Sequence, residues 1–306
     1  MTMPDKTISP FRVKQAVIAL KLGDTDDRLL SYLNFMTRQV PFETAHFIHV
    51  LPTFDLFNSI FKREGKSMVS NFELNEATIN EMKASLQEEL SKQRIDNIVF
   101  DVREGNPLEE LVKEVEETEA DLVIIGQSSA IGEHGILARN LARKMNCNAF
   151  IVPEGSTNKL RKILVPIDFS PHSIQAFKRA VGISKQLDAP AEIVCLNIYE
   201  TPRMAETYIG KTREELQDIV EKDRMESFKL FLENYGADQA ANVKTELIEN
   251  KLGDIGTYIM DFAQDNEADM IVIGAKGHSR VERLLLGSVT ERLLSENETI
   301  PTLVVK

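Results

Sequence analysis

Apolar residues come along this chain in short runs, separated by longer stretches with helical spacing. In the second half, residues 162–167 form an apolar run that ends at Asp168 and the turn-forming pair Ser170-Pro171. Residues 174–187 then place Ala176, Phe177, Ala180, Ile183 and Leu187 on one helical face. A second strand is predicted over 192–199. A long charged helix follows over 212–234, with Leu216, Ile219, Phe228 and Leu232 as its apolar marks, and a third strand over 243–248. Asp254 can cap a helix that runs to the neighbourhood of Gln264. Strands at 270–273 and 302–305 flank a last helix at 289–294. The first half repeats the alternation, with strands at 17–20, 44–50, 98–102, 122–125 and 149–152. Strands that are apolar throughout, not at every second residue, argue for a parallel sheet covered by helices on both faces. The predicted class is α/β, each half a doubly wound, Rossmann-like sheet of five parallel strands.

The halves are copies of one another. Glu119-Ala120-Asp121-Leu122-Val123-Ile124-Ile125-Gly126 matches Glu267-Ala268-Asp269-Met270-Ile271-Val272-Ile273-Gly274, with five of eight residues identical at an offset of 148. Gly105-Asn106 pairs with Gly253-Asp254 at the same offset, and residues 14–18 pair with 161–165 at 147. This is a tandem repeat, joined where Gly155-Ser156-Thr157-Asn158 reads as a linker. The expected domains are residues 1–155 and 156–306.

Length agrees, since 306 residues at roughly 150 per domain give two. Hydrophobic residues at 42% and charged residues at 27% exclude a disordered or collagen-like chain. The net charge of −12 gives no global basic field, so nucleic acid is not an expected partner. Two cysteines, Cys147 and Cys195, make neither a disulfide framework nor a four-thiolate zinc site; they read as small apolar fillers in a reducing compartment. The first residues carry charges and no apolar run, and no run approaches the ~18–20 residues of a membrane span. The default expectation is a cytoplasmic protein with no membrane partner.

One constellation carries chemistry. Gly274-Ala275-Lys276-Gly277 follows the fourth strand of the second half; nine residues later come Gly287-Ser288-Val289-Thr290. The pattern G-x2-G-x9-G-S suits an anion. Gly274 would let the chain turn at the strand end, and Gly277 would remove a side chain where a ligand approaches closely. Gly287 and Ser288 open a helix whose unpaired N–H groups favour phosphate, with the Ser288 and Thr290 hydroxyls as further donors. Lys276, His278, Arg280 and Arg283 add local positive charge to an acidic chain. No G-x4-G-K-[ST] loop is present, and the glycines follow the fourth strand rather than the first, which excludes the dinucleotide fingerprint. Asp168, just past the first strand of this half, suits a base or ribose, and it can equally form a turn with Ser170-Pro171.

Strand-Pro166-x-Asp168-x-Ser170 followed by G-x2-G-x9-G-S resembles the universal stress protein family, and the repeat makes the chain similar to its tandem members. The resemblance implies strand order 3-2-1-4-5 in each half and ATP as ligand, or ADP or AMP, with magnesium as a companion ion left open. It implies Asp168 and Pro166 at adenine, Ile198 lining the base pocket, and Gly274, Lys276, Gly277, Gly287, Ser288, Val289 and Thr290 around ribose and phosphates. It also implies pairing of the halves through residues 149–152 and 302–305 as an intrachain pseudo-dimer, and leaves a further homodimer open. The first half departs from the pattern: Lys21 stands for Asp168, Ala19 for Pro166, Ser129 for Gly277, Arg139 for Gly287 and Asn140 for Ser288. One competent nucleotide site is expected, in the second half; Gly132 and Gly135 leave room for a different loop in the first.

The expected function is a stress-response or signalling protein that binds an adenine nucleotide, not a committed catalyst, with no catalytic residue and no metal ligand assigned. The alternatives are slow ATP hydrolysis, for which Glu282 is a loose candidate, and a ligand-free interaction module. His46 and His49 lie three apart on a strand, so they point to opposite faces and do not read as a metal pair. The acidic runs 109–119 and 214–226 read as solvated helix faces, and Leu284-Leu285-Leu286 as helix packing.

Overall fold

The computed structural model describes residues 8–51, 71–89, 94–128, 136–202, 210, 212–235, 242–251, 253–277 and 286–306. These form two compact units. The first, residues 12–158, runs β1 (Val13–Leu20), α1 (Asp24–Thr37), β2 (Phe42–Leu51), α2 (Asn71–Glu89), β3 (Ile95–Glu104), α3 (Pro107–Glu117), β4 (Leu122–Gln127), α4 (Ile136–Lys144) and β5 (Asn148–Pro153). Its strands are ordered β3-β2-β1-β4-β5, all parallel. The second unit holds β6 (Lys162–Pro166), α5 (Pro171–Ser184), β7 (Glu192–Tyr199), α6 (Arg213–Tyr235), β8 (Val243–Glu249), α7 (Ile255–Asp265), β9 (Met270–Gly274), α8 (Ser288–Glu296) and β10 (Thr302–Val305). Its order is β8-β7-β6-β9-β10, again all parallel. Both units therefore have the 3-2-1-4-5 order. No helix among the described residues is long and apolar enough to cross a membrane.

The inner strands carry the core. All five residues of β9 are buried, as are Ile163, Leu164 and Val165 of β6 and Ala16–Leu20 of β1. Edge position changes the pattern: β3 leaves Ile98 and Val99 exposed. The continuous apolar run is thus a property of strands with neighbours on both sides. On α6, Leu216, Phe228 and Phe231 are buried while Ile219 is exposed. Helical rotation puts Leu216, Phe228 and Phe231 in one sector and Ile219 outside it. Phe231 meets Phe177 of α5 edge-on, with ring centres 5.1 Å apart.

The repeat extends to backbone dihedrals. Four described non-glycine residues have left-handed φ, and they form two equivalent pairs: Leu22 (56°) with Phe169 (64°), and Glu119 (50°) with Glu267 (52°). The shared Glu-Ala-Asp triplet has a structural task. Its glutamate leaves the helix, and the alanine N–H reaches back to Val115 O (3.0 Å) or Ala263 O (2.8 Å). The aspartate then accepts the opening amides of the first strand. Asp121 takes Lys14 N and Gln15 N at 3.0 and 3.2 Å, and Asp269 takes Arg161 N and Lys162 N at 2.7 and 3.0 Å.

Residues 8–11 pack with the second unit. Ile8 and Phe11 are buried, Gln186 Nε2 donates to Phe11 O at 2.6 Å, and Arg179 lies over the Phe11 ring. Gly182 makes this possible, because a Cβ there would lie 2.8 Å from Ser9 O.

One acidic run is not wholly a solvated face. Glu114 is 3% exposed and pairs with Arg103, which also meets Asp101 (3.0 Å), Glu117 (2.7 Å) and Glu110 (3.7 Å). Burial pushes the Glu114 carboxyl up, and Arg103 opposes that shift. Removing Arg103 strands a buried carboxylate, which costs about 3–5 kcal/mol. Arg103→Met is expected to lower stability by an amount in that range in urea unfolding. Adding Glu114→Gln is expected to recover more than half of the loss.

Candidate functional site

In open parallel sheets the crevice lies past the strand ends where the order reverses. In the second unit that point falls between β6 and β9, and a cavity of about 340 Å³ opens there. Pro166, Asp168, Ile198, Gly274, Lys276, Gly277, Gly287, Ser288, Val289 and Thr290 all line it. Ile167, Ser173, Leu196, Asn197, Ile255, Ile259 and Ile273 complete the wall. The ten residues singled out from sequence are thus brought to one cavity. His278, Arg280, Glu282, Arg283, Leu284 and Leu285 lie outside the described residues, so of that basic cluster only Lys276 is placed here.

Asp168 serves the turn that leads into α5: its Oδ1 accepts Ser170 N at 3.0 Å, and Ser170 Oγ caps α5 by accepting Ser173 N at 3.2 Å. The left-handed Phe169 between them is held by Phe228 and Phe231, with ring centres 5.2 and 6.1 Å away. The other carboxylate oxygen faces the glycine loop, where a Cβ on Gly277 would lie 2.5 Å from Asp168 Oδ2.

The three glycines have three different reasons. Gly274 is not in the left-handed region; a Cβ on it would lie 2.8 Å from the carbonyl carbon and the Cβ of His172. It admits α5 against β9 and does not serve a sharp turn, which corrects the expectation from sequence. Gly277 makes room for Asp168. Gly287 has no such neighbour, since the nearest atom to an added Cβ is Ala275 O at 3.4 Å, an ordinary contact. Its φ of −79° and ψ of 151° suit any residue. Nothing in the described protein requires glycine at 287.

Gly287 N donates to Ala275 O at 2.7 Å, which seats the start of α8 beside the end of β9. No side chain among the described residues caps that helix, and its first-turn amides can take another acceptor. Thr290 departs from its expected role: its hydroxyl is buried and donates its only proton to Gly274 O at 3.0 Å. It positions the helix instead of donating to an anion. Nearby, the His172 imidazole is held below its ordinary range, first by burial and then by Lys276, with Asp168 pulling the other way.

A sequence profile of the universal stress protein family matches residues 14–153 and again residues 159–306. The chain belongs to that family. A universal stress protein of Methanocaldococcus jannaschii is 31% identical over 149 residues, 49% of this chain and 84% of its own length. A second from the same organism is 30% identical over 159 residues, 48% of this chain and 94% of its own length. Solved structures share the fold across nearly the whole chain. A universal stress protein from Archaeoglobus fulgidus superposes with a TM-score of 0.63 at 15% identity, covering 95% of this chain and 96% of that one. A protein of unknown function from Pseudomonas aeruginosa gives 0.64 at 15% identity, covering 96% and 92%.

The first universal stress domain keeps a cavity of about 280 Å³ at its own switch point, lined by Ala19, Lys21, Asp26, His49, Leu111, Gly126 and further apolar residues. Its last helix begins differently. Arg139 and Asn140 fall inside α4, not ahead of it, and from Asn140 onward the amides are taken by helical bonds. The carboxylate lost at Lys21 reappears as Asp26, which accepts Lys21 N (3.2 Å) and Leu22 N (2.7 Å); burial raises its pKa against those bonds. Ser129, Gly132 and Gly135 lie outside the described residues. His46 and His49 have separate partners: Gln15 and Glu114 for the first, Leu20 O for the second. Cys147 and Cys195 are both buried, and burial drives the Cys195 thiol far up, which suits inert fillers.

The glycine geometry makes a paired prediction. Gly274→Ala must push α5 off β9 and is expected to cost about 1–3 kcal/mol, read by thermal unfolding. Gly287→Ala is expected to stay within about 0.5 kcal/mol of the parent.

Proposed function

We propose that the second domain binds an adenine nucleotide, with ATP as the leading ligand, and that the chain acts as a nucleotide-responsive stress or signalling protein in the cytoplasm. The observation that carries the reading is the division of labour inside one cavity. Apolar walls from Pro166, Leu196, Ile198, Ile255 and Ile259 suit a flat base. Asp168 at the centre suits ribose or base hydroxyls and amines. The uncapped start of α8, with Lys276 beside it, suits phosphates. Gly287 supports this further, because a glycine that the described protein does not itself need leaves backbone open to a ligand. Magnesium would enter with the phosphates. Binding without committed catalysis is the preferred reading; slow ATP hydrolysis is the alternative, and its candidate Glu282 lies outside the described residues.

Calorimetric titration with ATP is expected to give one saturable site per chain. Asp168→Ala, Gly277→Val and Gly287→Val should each weaken binding at least tenfold, and Lys21→Ala should leave it unchanged. Folded protein that shows no saturable binding at millimolar ATP would overturn the proposal. Phosphates beside Lys276 would also offset the charge that disfavours protonated His172. The His172 titration is then expected to move to higher pH in the ATP complex, seen by NMR. By linkage, ATP affinity should rise as pH falls through that titration.

A further inference from the structure

β3 ends the first domain's sheet, and all its register partners lie on β2. Such a strand turns half of its N–H and C=O groups away from its neighbour, where another chain can pair with them. Natural edges are commonly guarded by charged side chains. β8, the matching edge of the second domain, keeps this rule. It exposes Lys244, Thr245 and Glu246, and Lys244 pairs with Glu192 at 2.7 Å.

β3 does not keep it. At the offset of 148 that relates the domains, Ile98 takes the place of Glu246 and Asp96 that of Lys244. Residues 96–99 are all exposed, with Ile98 at 36% and Val99 at 41%. Successive side chains on a strand point to opposite faces, so β3 is open on both faces here. Beyond this stretch the edge closes on itself, because Asp101 Oδ1 accepts Val102 N at 2.9 Å.

A second copy of the chain can meet this edge in few ways. Two-fold symmetry across a strand edge makes the pair antiparallel. Facing residues must match, both turning their backbone groups toward the partner strand or both away. Identical strands turn the same alternate residues outward, so the axis passes through a residue and not between two. Charge then separates the choices. An axis at Phe100 sets Asp96 against Glu104, and one at Asp101 sets that carboxylate against its own copy. An axis at Ile98 avoids like charges but sets Arg94 against Val102. An axis at Val99 sets Ile98 against Phe100, Asn97 against Asp101, and Arg94 against Glu104 at both ends. Arg94 and Glu104 are both exposed, and in this register no like charges face each other.

We propose that the protein forms a symmetric dimer in which β3 pairs with β3 of a second copy, antiparallel about Val99. Ile98 and Phe100 of the two copies form an apolar centre on one face, the paired Val99 side chains cover the other, and two Arg94–Glu104 contacts fix the register. The inference uses the first domain alone and does not rest on the nucleotide reading.

Sedimentation equilibrium of the full chain is expected to show a reversible dimer. Ile98→Glu, which copies the guard that β8 carries, should raise the dissociation constant at least tenfold with an unchanged far-ultraviolet spectrum. Arg94→Glu and Glu104→Arg should each weaken the dimer severalfold, and the two together should recover most of that loss. Val99→Cys puts the two thiols on the axis, where facing Cα atoms lie about 4.5–5.5 Å apart, within disulfide reach. Mild oxidation should then join two copies covalently, while the parent, whose Cys147 and Cys195 are buried, stays unjoined. A parent that is monomeric at high-micromolar concentration would overturn the proposal. So would a dimer that folded Ile98→Glu leaves intact, or Val99→Cys protein that oxidation does not join. If Ile98→Glu fails to fold, the charge exchange decides: a double variant no tighter than its singles rejects the pairing.

Discussion

The junction at Gly274 is the contact on which the second domain's site depends. With no Cβ there, the backbone of α5 at His172 can lie directly against the end of β9. The Gly274 carbonyl then receives the Thr290 hydroxyl, while Ala275 N donates to Val305 O and Gly287 N to Ala275 O. These contacts bind one strand end to a neighbouring strand and to helices that open on the same crevice. The starts of α5 and α8 are therefore held by packing and by buried hydrogen bonds. A site held this way is organised in advance, which lowers the ordering cost of binding.

Duplication kept the scaffold and changed the site. The aspartates that hold the opening of the first strand, the left-handed residues after it, and the helix exits at Glu119 and Glu267 recur almost unchanged. Each serves backbone groups that a parallel sheet must satisfy in either copy. The start of the last helix is under no such constraint. In the first domain, α4 already runs through the positions that precede α8 in the second, and its own hydrogen bonds consume the amides. A shift in where a helix starts changes which amides the crevice is offered without disturbing the sheet.

The cavity is polar in a directional sense. The β9 side presents N–H groups and Lys276, the β6 end presents a carboxylate, and the β7 end presents aliphatic walls. Donors at one end and apolar walls at the other oppose a reversed ligand as well as favour the proposed one. That ordering follows from strand order alone, since each group sits on or just past its own strand.

Sequence by itself determined the α/β class and the duplication and pointed to ten of the residues that line the cavity, because apolar runs, a constant offset and glycine spacing are local records of how strands end and helices begin. It also marked Lys21, Arg139 and Asn140 as breaks in the pattern. It did not determine what each residue does. Gly274 looked like a turn and proved to be a packing gap; Thr290 looked like a ligand donor and proved to hold Gly274; Glu114 passed unnoticed as one acid among many. Ile219 and Phe231 exchanged places between surface and core. Only tertiary structure decides such matters, because they depend on which atom lies across from which. A hydroxyl has one proton and a carbonyl can only accept, so a side chain's remaining chemistry is known only once its neighbours have taken their share.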